Sequence, residues 1–352
     1  KKISLSYGMR YSLFYRLGTS NVNTYANDNP VVFNQEQQIY EKATPTGSKY
    51  YGKNKTIATY NNFEPRASIA YQINDNQSVK ASYNRMVQYL QLLSNTSSPT
   101  PLDVWTPSDE FIKPQIADQV AIGYFKNFKD DMYSLEAEAF YKTIKNRIDY
   151  IDGANLIANE AIEQVILNGR MRSYGLELML RKNEGKLTGW ISYTLSKSQQ
   201  QTPGRNDSET GINNGEWYNS LYDKTHNLAI TSSYTLNKKW SFGANFAMQT
   251  GQPVTYPTAY YEYQNINVPS YGLRNENRLP LYHHLDISAT LTPHKNANRN
   301  WKGEWVFSIY NLYGRKNAAS IAFRQNEETG INEAVKTSIF GFIPAVSYNF
   351  KF

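Results

Sequence analysis

Bulky apolar side chains recur at every second position over most of this chain. In residues 3–17 one set is Ile3, Leu5, Tyr7, Met9, Tyr11, Leu13, Tyr15 and Leu17; the interleaved set is Ser4, Ser6, Gly8, Arg10, Ser12, Phe14 and Arg16. A repeat of two marks a strand with two unlike faces. The same grammar returns in residues 63–73 and 79–87, around Val120, Ile122 and Tyr124, and in 135–141, 174–180 and 187–195. It continues in 228–236, 240–248, 285–291 and 305–309, and ends in 338–352, where Phe340, Phe342, Val346, Tyr348, Phe350 and Phe352 alternate around Pro344. The pattern predicts about twelve strands and an all-β, antiparallel fold. An apolar face this aromatic suits a barrel wall facing lipid, with rings at the interface.

The connections between these strands alternate in length. Short turns near 74–77, 127–131, 183–186 and 237–239 are rich in Asn, Asp, Gly and Lys, residues that favour tight turns. Between them lie polar stretches near 18–62, 91–113, 145–170, 197–222, 252–279 and 314–334, far longer than ordinary connections. A membrane barrel sorts short turns to one end and long loops to the other; a soluble sandwich has no reason to do so. An even number of strands places both ends of the sequence at the short-turn side, which is the periplasmic side in such barrels. Residues 154–168 read as a short helix inside one loop.

Composition sharpens this reading. Hydrophobic residues make up 40% and the mean hydropathy is -0.63, so no stretch approaches the roughly 18 apolar residues of a membrane helix. Alternation dilutes the hydropathy of a barrel strand, so a β-barrel stays open. The 29 tyrosines suit a boundary between lipid and water. With no cysteine, neither a disulfide framework nor a thiolate metal site is available. The net charge is +7 with His neutral, and the basic residues are scattered, many of them in turns: Lys182, Lys186, Lys238, Lys239, His294, Lys295, Arg299 and Lys302. These fit solvated turns or anionic head groups and not a nucleic-acid stripe. The sequence opens Lys1-Lys2-Ile3 without an initiator Met or a secretion signal, so the natural N-terminus is expected to lie upstream.

Several segments resemble, in order, the C-terminal barrel half of Bacteroidetes TonB-dependent outer-membrane receptors, SusC-like transporters among them. They are Ser78 to Arg85, Ile112 to Gln115, Ala139 to Asn146, Tyr222 to Leu228, Gln249 to Gly251, Ser308 to Asn317 and Tyr348 to Phe352. The ending is similar to the terminal aromatic signal for barrel insertion, assigning Tyr348, Phe350 and Phe352 to it. The resemblance implies a 22-stranded outer-membrane barrel, of which this chain supplies about the last half. It also implies a plug and a TonB-engaging segment upstream, and import of a nutrient such as a glycan, a peptide or a metal chelate. A SusD-like surface lipoprotein or other outer-membrane proteins would be partners, besides the lipid itself. An accessory barrel subunit of a larger complex is the alternative.

Candidate chemistry is sparse. Asp223 and His226 stand together without a serine at useful spacing. His283 and His284 are neighbours on a strand, so their rings point to opposite faces and cannot share a metal. Asp207, Glu209 and Glu216 lack the spacing of a calcium loop. Glu136, Glu138 and Lys142 read as a wet lumen wall. A phospholipase-like barrel would need a serine near a histidine on the outer face, whereas Ser288 and His284 share the inner one. No catalytic residue, cofactor or metal site is expected. The aromatic loops carry the ligand-contact expectation: Trp217, Tyr218 and Tyr222 in one, and Tyr256, Tyr260, Tyr261, Tyr263 and Tyr271 in another. Their rings suit sugar faces or flat chelates.

Overall fold

The computed structural model describes residues 2–93, 104–156, 159–264, 266–293, 302–326 and 328–351. Twelve long strands form one antiparallel meander: β1 (Ile3–Leu17), β2 (Thr56–Asn74), β3 (Gln77–Gln88), β4 (Gln115–Phe128), β5 (Tyr133–Tyr150), β6 (Ile166–Lys182), β7 (Leu187–Gln201), β8 (His226–Thr235), β9 (Trp240–Gln249), β10 (Tyr282–Leu291), β11 (Lys302–Tyr310) and β12 (Ile343–Lys351). Each pairs with its neighbours in chain order, and β1 and β12 are the edges.

The register shows why the alternation works. Leu5, Ile69, Ala81, Ile122, Ala139, Leu176 and Leu195 align directly across seven strands. One residue along, Ser6, Ser68, Ser82, Ala121, Phe140, Gly175 and Ser196 align on the other face. Slipping any strand by one residue would exchange the faces. The apolar face has no protein covering it: Leu5 is 64% and Tyr7 82% exposed. Glu138 stands opposite Glu177 on the polar face. Two carboxylates directly opposed are tolerable only where water screens them.

The buried core sits instead among the long loops. Val31, Leu93, Ile112, Ile148, Ile151, Leu156, Val165, Ile166, Leu167 and Ile212 pack into one cluster with Tyr40, Ile162 and Tyr218. Small hairpins stiffen these loops. Ser20–Thr24 pairs with Gly47–Tyr51, Val31–Asn34 with Ile39–Lys42, Leu90–Leu93 with Val104–Pro107, Pro257–Tyr263 with Ile266–Tyr271, and Ser320–Gln325 with Asn332–Thr337.

Four details differ from the sequence pattern. The last strand starts at Ile343, not Ser338. Its partner β11 stops at Tyr310, where Asn311 turns away at φ 52°, so residues 338–342 have no ladder to join. Pro344 is only the second residue of β12, opposite Ile309, where the ladder is just beginning and a missing amide donor costs least. β2 begins at Thr56, seven residues before the apolar alternation, because Leu17 still has Thr56 as partner. β5 and β6 run on to Tyr150 and back from Ile166. The helix expected within 154–168 is a single 3-10 turn, Ile162–Val165; Ile157 and Ala158 lie outside the described residues, as do Phe352 and residues 294–301.

Candidate functional site

A cavity of about 840 Å³ opens on the polar face of the sheet at the long-loop end. Gln88, Gln115 and Gln200 from β3, β4 and β7 form its strand side, and Asp149 and Tyr150 contribute from the top of β5, with Ile151 just beyond it. Tyr218, Tyr222, Tyr256, Arg274 and Asn275 complete it from the loops.

A β-bulge aims one cation into it. Lys145 pairs with Arg170, and Arg147 pairs with the next residue, Gly169, leaving Asn146 as the extra residue at φ 56°. Such an insertion re-aims the side chains that follow: Lys145 falls on the apolar face and Arg147 on the cavity face. The Arg147 Nε is buried without a hydrogen-bond partner. A buried guanidinium nitrogen left unsatisfied costs roughly 1–3 kcal/mol, more when charged, so a ligand acceptor meeting it would gain what the protein leaves unmade.

The loops that frame the cavity are cross-linked by charge. Arg274 donates to Asp149 Oδ1 at 2.6 Å and to the Tyr150 carbonyl at 2.7 Å, and it also pairs with Asp152. Tyr218 donates its hydroxyl to Asp149 as well, and the Thr202 hydroxyl does so at 3.3 Å. Burial, and then the Asp149 carboxylate, push the Tyr218 phenol well above its ordinary range. Burial opposes the Arg274 charge, but Asp149 and Asp152 outweigh it and raise its pKa.

A second lock lies alongside. Asp223 is fully buried, accepts the Ser198 amide at 2.5 Å, and pairs with Arg278 and, at 3.8 Å, with Lys197. Asn219 and Asn275 exchange side-chain to carbonyl bonds at 3.1 and 2.8 Å. Buried carboxylates persist when paired and hydrogen-bonded, so these contacts hold the loops 151–165, 202–225 and 250–281 as one frame.

Of the eight aromatic residues expected to meet a ligand, the cavity gathers Tyr218, Tyr222 and Tyr256. Tyr260, Tyr261, Tyr263 and Tyr271 lie on the hairpin Pro257–Tyr263 with Ile266–Tyr271, away from it, and Tyr261 and Tyr263 are exposed. Trp217 stands over the Arg172 guanidinium at 4.1 Å, on the apolar side of β6. Asp223 and His226 have separate partners, His226 Nδ1 meeting the Tyr193 hydroxyl at 2.8 Å. His283 bonds Tyr313 while His284 faces Asp286 at 3.3 Å, so the two rings do point apart. Glu209 is bonded by Arg205 and by Tyr40 at 3.3 Å. The sequence reading missed Arg147, Asp149, Arg274 and Arg278. The one available signal was an acid inside an apolar run, Ile148-Asp149-Tyr150-Ile151.

Comparison with known proteins gives the family and the fold. The model of the family "TonB dependent receptor-like, beta-barrel" matches residues 1–312, and the chain belongs to that family. No curated protein matches the sequence. Among solved structures it is similar to the ferric-catecholate import receptor Fiu from E. coli K12, with 17% identity and a TM-score of 0.58 over 100% of this chain and 43% of that one. It is also similar to the copper transporter OprC, with 13% identity and a TM-score of 0.56 over 99% of this chain and 45% of that one. BauA, the ferric preacinetobactin receptor from Acinetobacter baumannii, gives 13% identity and a TM-score of 0.55 over 99% and 40%. At these identities the likeness is one of fold. The chain spans less than half the length of each.

Proposed function

We propose that this chain is the C-terminal half of a 22-stranded TonB-dependent transporter in the outer membrane of a Gram-negative bacterium, SusC-like and of the Bacteroidetes type. It carries a nutrient inward: a glycan, a peptide or a metal chelate. The strands supply the wall, a plug encoded outside these residues supplies the gate, and the long loops face outward to capture cargo. Under this reading the C-terminus is periplasmic, TonB engages an upstream segment, and a SusD-like lipoprotein covers the loops.

The observation that carries the reading is the framed cavity at the loop end of the polar face. It presents Tyr218, Tyr222 and Tyr256 beside several side-chain amides and the unsatisfied Arg147 Nε. Rings and amides suit a polyhydroxylated or peptidic cargo, and Arg147 suits an acceptor or anionic group on it. The test is growth on single defined nutrients with the gene deleted, then complemented with wild type or Arg147→Ala. Loss confined to one compound, unrestored by Arg147→Ala, supports the reading. Unaltered growth on every nutrient, with a gene that encodes no plug, would contradict it.

A second reading, an accessory barrel subunit of a larger outer-membrane complex, is favoured by the hairpin that carries the exposed Tyr261 and Tyr263. Co-purification of a protein partner that is lost on Tyr261→Ser with Tyr263→Ser, while uptake is unchanged, would favour it.

A further inference from the structure

On β6 the apolar face ends abruptly. Its side chains run Leu180, Leu178, Leu176 and Tyr174, and then become Arg172 and Arg170. Lys182 begins this run at the short-turn end. Ten steps of about 3.3 Å, tilted by about 40°, rise roughly 25 Å, the height of a barrel's apolar band. Lys182 and Arg172 therefore bracket that band, and Arg172 stands at the level of lipid head groups on the loop side.

The register sets residues of the neighbouring strands beside this point. Tyr83, Val120, Tyr141 and Tyr174 form one aligned row. The next row toward the loops is Arg85, Asp118, Thr143, Arg172 and Gln199, and the row beyond it is Val87, Ile116, Lys145, Arg170 and Gln201. Within these two rows four cations face one carboxylate. Arg85 takes that carboxylate, donating to both oxygens of Asp118 at 2.7 and 3.0 Å. Lys145 acts on Asp118 only through space, and three positive charges remain uncompensated.

Arg170 and Arg172 are held but not neutralised. Arg172 donates to Gln199 Oε1 at 3.1 and 2.8 Å, and Arg170 donates to Gln201 Oε1 at 2.8 Å. Trp217 lies over both guanidiniums, at 4.1 and 5.6 Å. Among the described residues no carboxylate forms an ion pair with Arg170, Arg172 or Lys145. Neutral amides and an indole fix the two guanidiniums while leaving donors and charge available, which is how a phosphate is received. Adjacent strands lie about 4.8 Å apart and alternate residues about 6.7 Å, so the three cations can converge on one phosphate.

We propose that Lys145, Arg170 and Arg172, backed by Trp217, form a binding site for the phosphate head group of an outer-leaflet membrane lipid on the outside of the barrel. The proposal rests on the outward orientation of the loops given above. It is independent of what the lumen transports.

The test uses the complete receptor that carries this chain, purified and reconstituted in nanodiscs of zwitterionic phospholipid. The discs are doped with lipid A, either phosphorylated or dephosphorylated, and lipids retained on the protein are counted by native mass spectrometry. Wild type is expected to retain the phosphorylated form preferentially. Lys145→Gln, Arg170→Gln and Arg172→Gln together should weaken that preference roughly 100-fold, at about fivefold per cation. Arg170→Lys with Arg172→Lys should keep much of it and serves if the neutral variant fails to assemble. Lys182→Gln, at the opposite interface, should leave the preference unchanged. Equal retention of both lipids by wild type, or unchanged preference in the triple variant, would overturn the proposal. So would displacement of the lipid by millimolar inorganic phosphate, which would indicate a soluble anion, or a triple variant that loses a co-purifying protein while keeping the lipid. Heat-modifiable migration of each variant reports assembly separately, and failure of wild type itself to assemble in bilayers would count against the barrel reading.

Discussion

The wall and the loop assembly follow opposite rules. In the wall, Leu5, Leu176 and Leu178 are exposed and the opposite face is mostly small or polar, with rings such as Phe14 and Phe140 scattered on it, so the sheet has no protein core. In the loops, Leu93, Ile112 and Val165 are almost completely buried and pack as they would in a soluble domain. Each such side chain contributes about 1.5–3 kcal/mol by leaving water. The wall gains nothing comparable from its own protein contacts and depends on hydrocarbon around it. One chain thus holds two folding solvents, and on β6 the change comes between Tyr174 and Arg172.

The largest expected effect separates the two regions from the loop side. Asp223→Asn removes the charge facing Arg278 and leaves that guanidinium without its carboxylate, at a cost of about 3–5 kcal/mol. Hydrogen exchange should rise through residues 202–225 and 250–281 while the central wall stays protected. Loss of protection in β7 to β10 along their whole length would show that the regions are not separable.

Next comes the wall. Leu178→Arg, mid-band on the apolar face, should destabilise the assembled barrel by about 2–4 kcal/mol, read as a lower melting temperature of heat-modifiable migration. Glu177→Arg, its neighbour on the polar face, should change it little, and equal effects would deny the two faces their difference. A smaller loss, about 0.5–1.5 kcal/mol, is expected for Ile112→Val, from one methyl group removed in the loop core. It should appear as faster proteolysis of the loops with barrel melting unchanged.

The smallest effect is a pH response of one loop clamp. Arg205 hydrogen bonds, working against burial, hold the Glu209 carboxyl below its ordinary value of 4.5. A depressed carboxyl stabilises above its unfolded pKa, and that contribution disappears as pH falls through the lower folded value. Burial and Glu209 push the Tyr40 phenol up to about 12. A raised phenol stabilises fully below about 10, and that contribution disappears as pH rises through about 12. Proteolysis of residues 202–225 should therefore accelerate below about pH 4 and above about pH 10, and a response confined to neutral pH would contradict the clamp.

The wall was legible because period two is a local signal: each strand's Leu and Tyr positions declare a face without knowledge of the neighbours. Strand ends were not legible where both faces turn polar, as in Thr56–Asn62 and at Gln199, Gln200 and Gln201. There only the partner strand decides how far the ladder runs. The aromatic loops were legible as a group and not individually. Trp217 and Tyr218 are adjacent, yet one stacks on Arg172 and the other is buried beside Asp149. The charged frame was illegible for a different reason: Asp149 and Arg274 are 125 residues apart, and Asp223 and Arg278 are 55 apart. No spacing rule joins such pairs. The aim of Arg147 depends on a single bulge residue, Asn146, whose left-handed φ a sequence pattern does not mark.

The most direct test is a nitroxide scan of β6 in the bilayer-reconstituted receptor, one label at each position from 174 to 181. The wall described above predicts that accessibility to oxygen peaks at 174, 176, 178 and 180, and that accessibility to a water-soluble nickel chelate peaks at 175, 177, 179 and 181. Two accessibilities that rise and fall together, or that show no alternation, would contradict a sheet set between hydrocarbon and water.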